Sequence, residues 1–198
     1  MAKNVDSVVA IFGTVKDAGD TKIRIDPETG SLVIVPWQHF LIHKGLLYAA
    51  AYMHESISKN GVANMVVSAC PNPSLHVFSA KWVSGGKAHL ELYGAPVWEE
   101  GTGTEIYASN MLFGSPNTST TLIIADPVLT SPGVLAHKQL MAGGVLPYLY
   151  GGHHEIAHEW VLPAGGKVLV RIRNLANTAV DISWQLNFFE NGDNILWD

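Results

Sequence analysis

With 198 residues, 47% of them hydrophobic and only 15% charged, the chain can bury the core of one domain and is too apolar for intrinsic disorder. A formal charge of -5, with its Lys and Arg dispersed, leaves no basic stripe to track a phosphate backbone, so no nucleic-acid partner is expected. No apolar run approaches the roughly 18 residues that span a bilayer, and the start "MAKNVDSVVAIFG" has no signal-like apolar stretch, so no membrane partner and synthesis in a cytoplasm are expected.

Residues 1–38 carry short β-prone pieces, Lys22 to Ile25 and Leu32 to Val35, around the turn "DPETG". Their alternation is too brief for core strands. Two placements stay open: an extended N-terminal arm that pairs with a neighbouring subunit, or a hairpin folded onto its own domain. In either case Ile23, Ile25, Leu32, Ile34 and Trp37 are the apolar side chains available for contact.

From residue 39 to 198 the pattern is all-β. Strands are predicted at Gly45 to Ser56, Val62 to Ser68, Leu75 to Ser84, Lys87 to Tyr93, Thr104 to Asn110, Thr120 to Asp126, Glu155 to Leu162, Lys167 to Asn174 and Val180 to Glu190. Turn chemistry separates them, in "KNG", "SGG", "GSPN" and "PAGG". In the last strand Ile182, Trp184, Leu186 and Phe188 share one face, while Ser183, Gln185 and Asn187 share the other. This many half-buried strands in one domain predict an antiparallel β-sandwich, with a jelly roll the leading topology.

The single cysteine, Cys70, has no intramolecular disulfide partner and nothing nearby to activate it, so it is read as a small packing residue. Between Asp126 and His154 a long connection is expected. Its Leu140, Met141, Leu146, Tyr148 and Tyr150 suggest burial against a partner or over one end of the sandwich.

One stretch matches a catalytic pattern. His154-Glu155-Ile156-Ala157-His158 fits H-E-x-x-H, which binds Zn²⁺ only on a helix, where residues four apart share a face. Here the stretch lies between a Gly pair and Pro163, and its apolar residues recur at even spacing, as on a strand. Strand residues four apart are separated by about 13 Å, too far for one ion. A cupin-like site is also disfavoured, since His153 and His154 are adjacent and no later Pro-x-Gly-x-x-His segment follows. The other histidines, His39, His43, His54, His76, His89 and His137, are read as structural, although copies meeting on an oligomer axis could still bind a metal. No phosphate loop, no nucleophile elbow and no carboxylate pair emerges, so neither catalysis, a cofactor nor a metal is expected. A glycan-binding alternative would use Trp82, Trp98 or Tyr107 to stack on a sugar ring.

Three segments together resemble a recurrent family of tailed-bacteriophage virion proteins: "LELYGAPVWEEGTGT" from Leu90 to Thr104, "SNMLFGSPNTSTTLIIADPVLTSPG" from Ser109 to Gly133, and "HEWVLPAGGKVLVRIRNLANTAVDISWQLNFFE" from His158 to Glu190. The resemblance covers roughly residues 39 to 190. It implies a β-sandwich or jelly-roll structural protein of the virion, such as a capsid decoration (cement) protein or a head or tail appendage. Similar proteins often carry a basic "NRNR"-like stretch where this chain has Asn110, Met111, Leu112 and Phe113, so a contact made there by charge would be made here by burial. The expectation is a homo-oligomer, a trimer first among the options, on the outer surface of the major capsid protein lattice. Residues 1–37 and the connection from Asp126 to Gly152 are its expected contact elements. The alternative is a tail or fibre module that recognises a host glycan.

Overall fold

Apolar residues that alternate along short segments must find a second apolar face, and two sheets packed face to face supply it. The computed structural model describes residues 37–69, 74–142, 154–155 and 160–191. In chain order these form helix α1 (Trp37–His43) and strands β1 (Leu47–Ile57), β2 (Val62–Ser68), β3 (Ser74–Ser84), β4 (Ala88–Gly94), β5 (Val97–Trp98), β6 (Thr104–Glu105), β7 (Ser109–Asn110), β8 (Leu122–Ala125), β9 (Leu129–Ser131), β10 (Val134–Met141), β11 (His154–Glu155), β12 (Trp160–Leu162), β13 (Lys167–Asn174) and β14 (Val180–Asn191).

One sheet runs β11-β3-β14-β1-β7, with β12 also on β3; the other runs β10-β4-β13-β2-β8-β6. Eight of the strands pair in a nested order. β1 pairs with β14, β2 with β13, β3 with β12 and β4 with β10, all antiparallel. First meets last and the innermost two meet each other, so the chain is one long hairpin rolled across two sheets. That is a jelly roll, and the protein is an all-β sandwich.

The core lies between the sheets. Ile182, Trp184, Leu186 and Phe188 of β14 are all buried there, as their spacing predicted, with Trp82 of β3, Leu90 of β4 and Ile172 of β13. Each such side chain contributes about 1.5–3 kcal/mol on burial. A second, smaller apolar layer sits outside the first sheet, where Leu41 of α1 is buried with Leu47 and Phe189 against Ile42, Leu46 and Phe78.

At one end of the sandwich a buried histidine links the sheets. His54 Nδ1 on β1 lies 2.8 Å from Asp126 Oδ2 just after β8, and Trp184 Nε1 donates to His54 Nε2 at 3.3 Å. The Asp126 carboxylate also accepts the Asn64 N–H at 3.0 Å. Its burial would raise its pKa, but the bonds from His54 and Asn64 outweigh burial and hold it below the ordinary value.

Two sequence expectations need correction, and one element was not foreseen. The predicted strand from Gly45 to Ser56 is observed as β1, preceded by the unforeseen helix α1, which Gly45 ends. At φ +64° Gly45 donates to Ile42 O at 2.8 Å, and Leu46 N donates to Leu41 O at 3.0 Å. This is a Schellman cap, with Leu46 and Leu41 in one apolar cluster. Seven residues are too few for a helical period to show. The predicted strand from Thr104 to Asn110 is instead two pieces on different sheets, since β6 pairs with β8 and β7 with β1. The connection after Asp126 contains β9 and β10; β10 is exposed along most of its length, so nothing alternates to mark it as a strand.

Candidate functional site

The segment between β7 and β8 is held in place by polar side chains and presents apolar ones. Its first anchor is the carbonyl of Gly45, which accepts Asn110 Nδ2 at 2.8 Å and Asn117 Nδ2 at 3.0 Å. Asn110 also accepts the Leu112 N–H at 2.9 Å, and Met111 N donates to Leu47 O at 2.9 Å. Ser115 N then closes a turn onto Leu112 O at 3.0 Å. Gly45 has to be glycine for a second reason, because a Cβ there would come within 2.5 Å of Ser115 Oγ.

The second anchor is the carboxylate of Glu190 on β14. It accepts Ser119 Oγ at 2.5 Å, Thr120 Oγ1 at 2.8 Å, Thr120 N at 2.9 Å and Thr121 N at 2.7 Å. Burial works to raise the pKa of Glu190, but these donors prevail and hold it below the ordinary carboxylate value. The same charge, after burial, pushes the Tyr48 phenol up. Two stretches that carry the virion resemblance, "NTST" and the "FFE" of β14, are therefore one structural unit. The expectation did not pair them. Ser and Thr runs that favour backbone hydrogen bonding, and an acid at the end of a buried strand, were the signals available.

On this frame Phe113 is 93% exposed and Tyr107, in the link before β7, 81% exposed. Met111 is exposed and Leu112 half-buried. Leaving Phe113 in water forgoes about 1.5–3 kcal/mol that a partner could recover, at little ordering cost because the backbone is already fixed.

The other predicted contact residues are distributed differently. Leu140 is exposed on β10, as are Val134 and Leu135. Met141 is a correction: it is buried in the main core, because at the end of β10 the side chain turns between the sheets. Trp37 begins α1. Ile23, Ile25, Leu32, Ile34, Leu146, Tyr148 and Tyr150 lie outside the described residues, as do Cys70 and the whole predicted arm before Trp37.

Of the three aromatics named for sugar stacking, Trp82 is fully buried and cannot serve. Trp98 lines a 340 Å³ cavity with Thr102, Glu100, Glu105, Leu122 and Ile124, and Lys167 Nζ sits 4.8 Å from its ring centroid. The Thr102 hydroxyl is engaged with Glu99 O and Val128 N. The side-chain lining thus sets the Glu100 and Glu105 carboxylates beside the Trp98 ring, with the Lys167 ammonium above it.

His154 and Glu155 of the H-E-x-x-H match are in β11, paired antiparallel with Trp82 and Lys81. Among the described residues no group of three or more His, Cys, Asp or Glu is arranged to hold a metal. In the His54–Asp126 pair the imidazole is buried against Tyr52 and Trp184, while the carboxylate is half exposed. Comparison with known proteins finds no matching family model, no matching curated protein and no matching solved structure.

Proposed function

We propose that this chain is a non-catalytic structural protein of a tailed-phage virion, which binds the outer capsid surface as a small oligomer and reinforces the lattice. The observation that carries the proposal is the loop from Met111 to Gly114, apolar and exposed yet braced at Gly45 and Glu190. A rigid frame that displays an aromatic side chain fits docking onto another protein, where preformed aromatic anchors dominate binding energy. The three-segment resemblance supports the same assignment, and its charged "NRNR"-like contact becomes a buried one here. Weak contacts of this kind multiply when many copies bind one lattice.

The test is the copy number of the protein in purified virions relative to the major capsid protein, with Phe113→Asp alongside. Near-lattice stoichiometry that collapses in the variant is the expected result. A few copies per particle would move the protein to a tail or fibre, and its absence from virions would overturn the structural reading.

A further inference from the structure

Besides the H-E-x-x-H match at residues 154–158, the chain holds a second pair of histidines four apart, and this pair is on a helix. We propose that His39 and His43 form a two-imidazole chelate for a divalent transition-metal ion on the exposed face of α1. Residues four apart on a helix have Cβ atoms about 5–6 Å from each other, on one side. Leu41 and Ile42 turn the other side onto the apolar layer, which forces both imidazoles outward. Their Nε2 atoms converge to 2.9 Å, with ring centroids 4.5 Å apart and the planes at 71°.

Two neutral rings in that contact share one proton, so one lone pair points at the other ring's N–H. A metal ion takes the place of that proton, which passes through solvent to Nδ1 of the same ring, so that both rings stay neutral and both Nε2 lone pairs face the ion. Zn–N bonds of about 2.0–2.1 Å at a tetrahedral angle require the nitrogens to stand about 3.3 Å apart. The rings must therefore open by about 0.4 Å, within reach of a small side-chain rotation. The base of the site is fixed, since the Schellman cap ends α1 and two asparagines hold the Gly45 carbonyl.

Imidazole donors select Cu²⁺, Ni²⁺ or Zn²⁺ over Mg²⁺ and Ca²⁺. Among the described residues no third His, Cys, Asp or Glu completes the set, which leaves the remaining positions to water or to a ligand from another chain. The site stands apart from the docking role of Phe113, and because it is read on the free full-length protein its failure would leave that role untouched.

The experiment is calorimetric titration of the full chain with CuCl₂ and ZnCl₂ in a non-chelating buffer, with MgCl₂ as the control ion. Wild type is expected to bind Cu²⁺ more tightly than Zn²⁺ and Mg²⁺ not at all, with affinity falling on acidification as protons compete for Nε2. His39→Ala and His43→Ala should each weaken binding at least about tenfold, while His89→Ala should not. Thermal unfolding supplies a second readout, since Zn²⁺ should raise the midpoint of wild type and of His89→Ala but not of the two helix variants. Unchanged binding in either helix variant, or no wild-type binding of Cu²⁺ up to about 1 mM, would overturn the proposal.

Discussion

Replacing Glu190 with Gln keeps the size of the side chain and removes the charge that organises residues 119–121. The carboxylate accepts from two hydroxyls and two backbone N–H groups. An amide retains one acceptor oxygen and turns an NH₂ toward donors. Charge-assisted bonds contribute about 1.5–3 kcal/mol each when buried, but Glu190 and Thr120 are partly solvated, and water recovers part of the loss. The expected net cost is about 2 kcal/mol, or about 4–8 °C in melting temperature for a domain of this size.

The pH dependence sharpens the test. The folded-state pKa of Glu190 is depressed below its ordinary value of 4.5. Its contribution is therefore complete above about pH 4.5 and is lost as pH falls through the lower folded value. Glu190→Gln should consequently differ most from wild type at neutral pH, and the two should converge in acid. Thermal unfolding at pH 7 and below the folded pKa measures this, and hydrogen exchange should show Thr120 and Thr121 amides losing protection at pH 7. Equal melting temperatures at pH 7, or a gap that persists undiminished in acid, would refute the claim that this carboxylate holds the loop.

Other substitutions separate scaffold from surface. Phe113→Ser should change unfolding free energy by no more than about 0.5 kcal/mol, because the ring packs on almost nothing, yet should weaken sedimentation with capsids. Gly45→Ala should cost about 1–2 kcal/mol for a left-handed alanine, and more if Ser115 cannot move aside; urea unfolding reads the loss. His54→Leu should cost about 1–3 kcal/mol by the same assay, since it leaves the Trp184 indole N–H buried without an acceptor.

The strands of the sandwich were legible wherever one face is dry and the other wet. Val62 to Ser68 and Lys167 to Asn174 match β2 and β13 residue for residue, and β14 extends its prediction by one residue. Period-two alternation is a local consequence of burial, so a sequence displays it directly. β10 escaped because most of it is exposed, and α1 because seven residues hold under two helical turns. Of the apolar run from Met111 to Phe113 the structure leaves Met111 and Phe113 exposed, whereas Met141 was misplaced because composition does not say which way a side chain turns.

What only the tertiary structure decided are the meetings of residues far apart in the chain. Glu190 finds Ser119, Gly45 finds Asn110 and Asn117, and His54 finds Asp126, over separations of 65 to 72 residues. Nested pairing of the strands brings these positions together, and strand order leaves no mark on local periodicity. The histidine pair on α1 obeys the same division: its four-residue spacing is plain in the sequence, and only the backbone geometry of the helix makes the two rings converge, because a helix turns residues four apart onto one face.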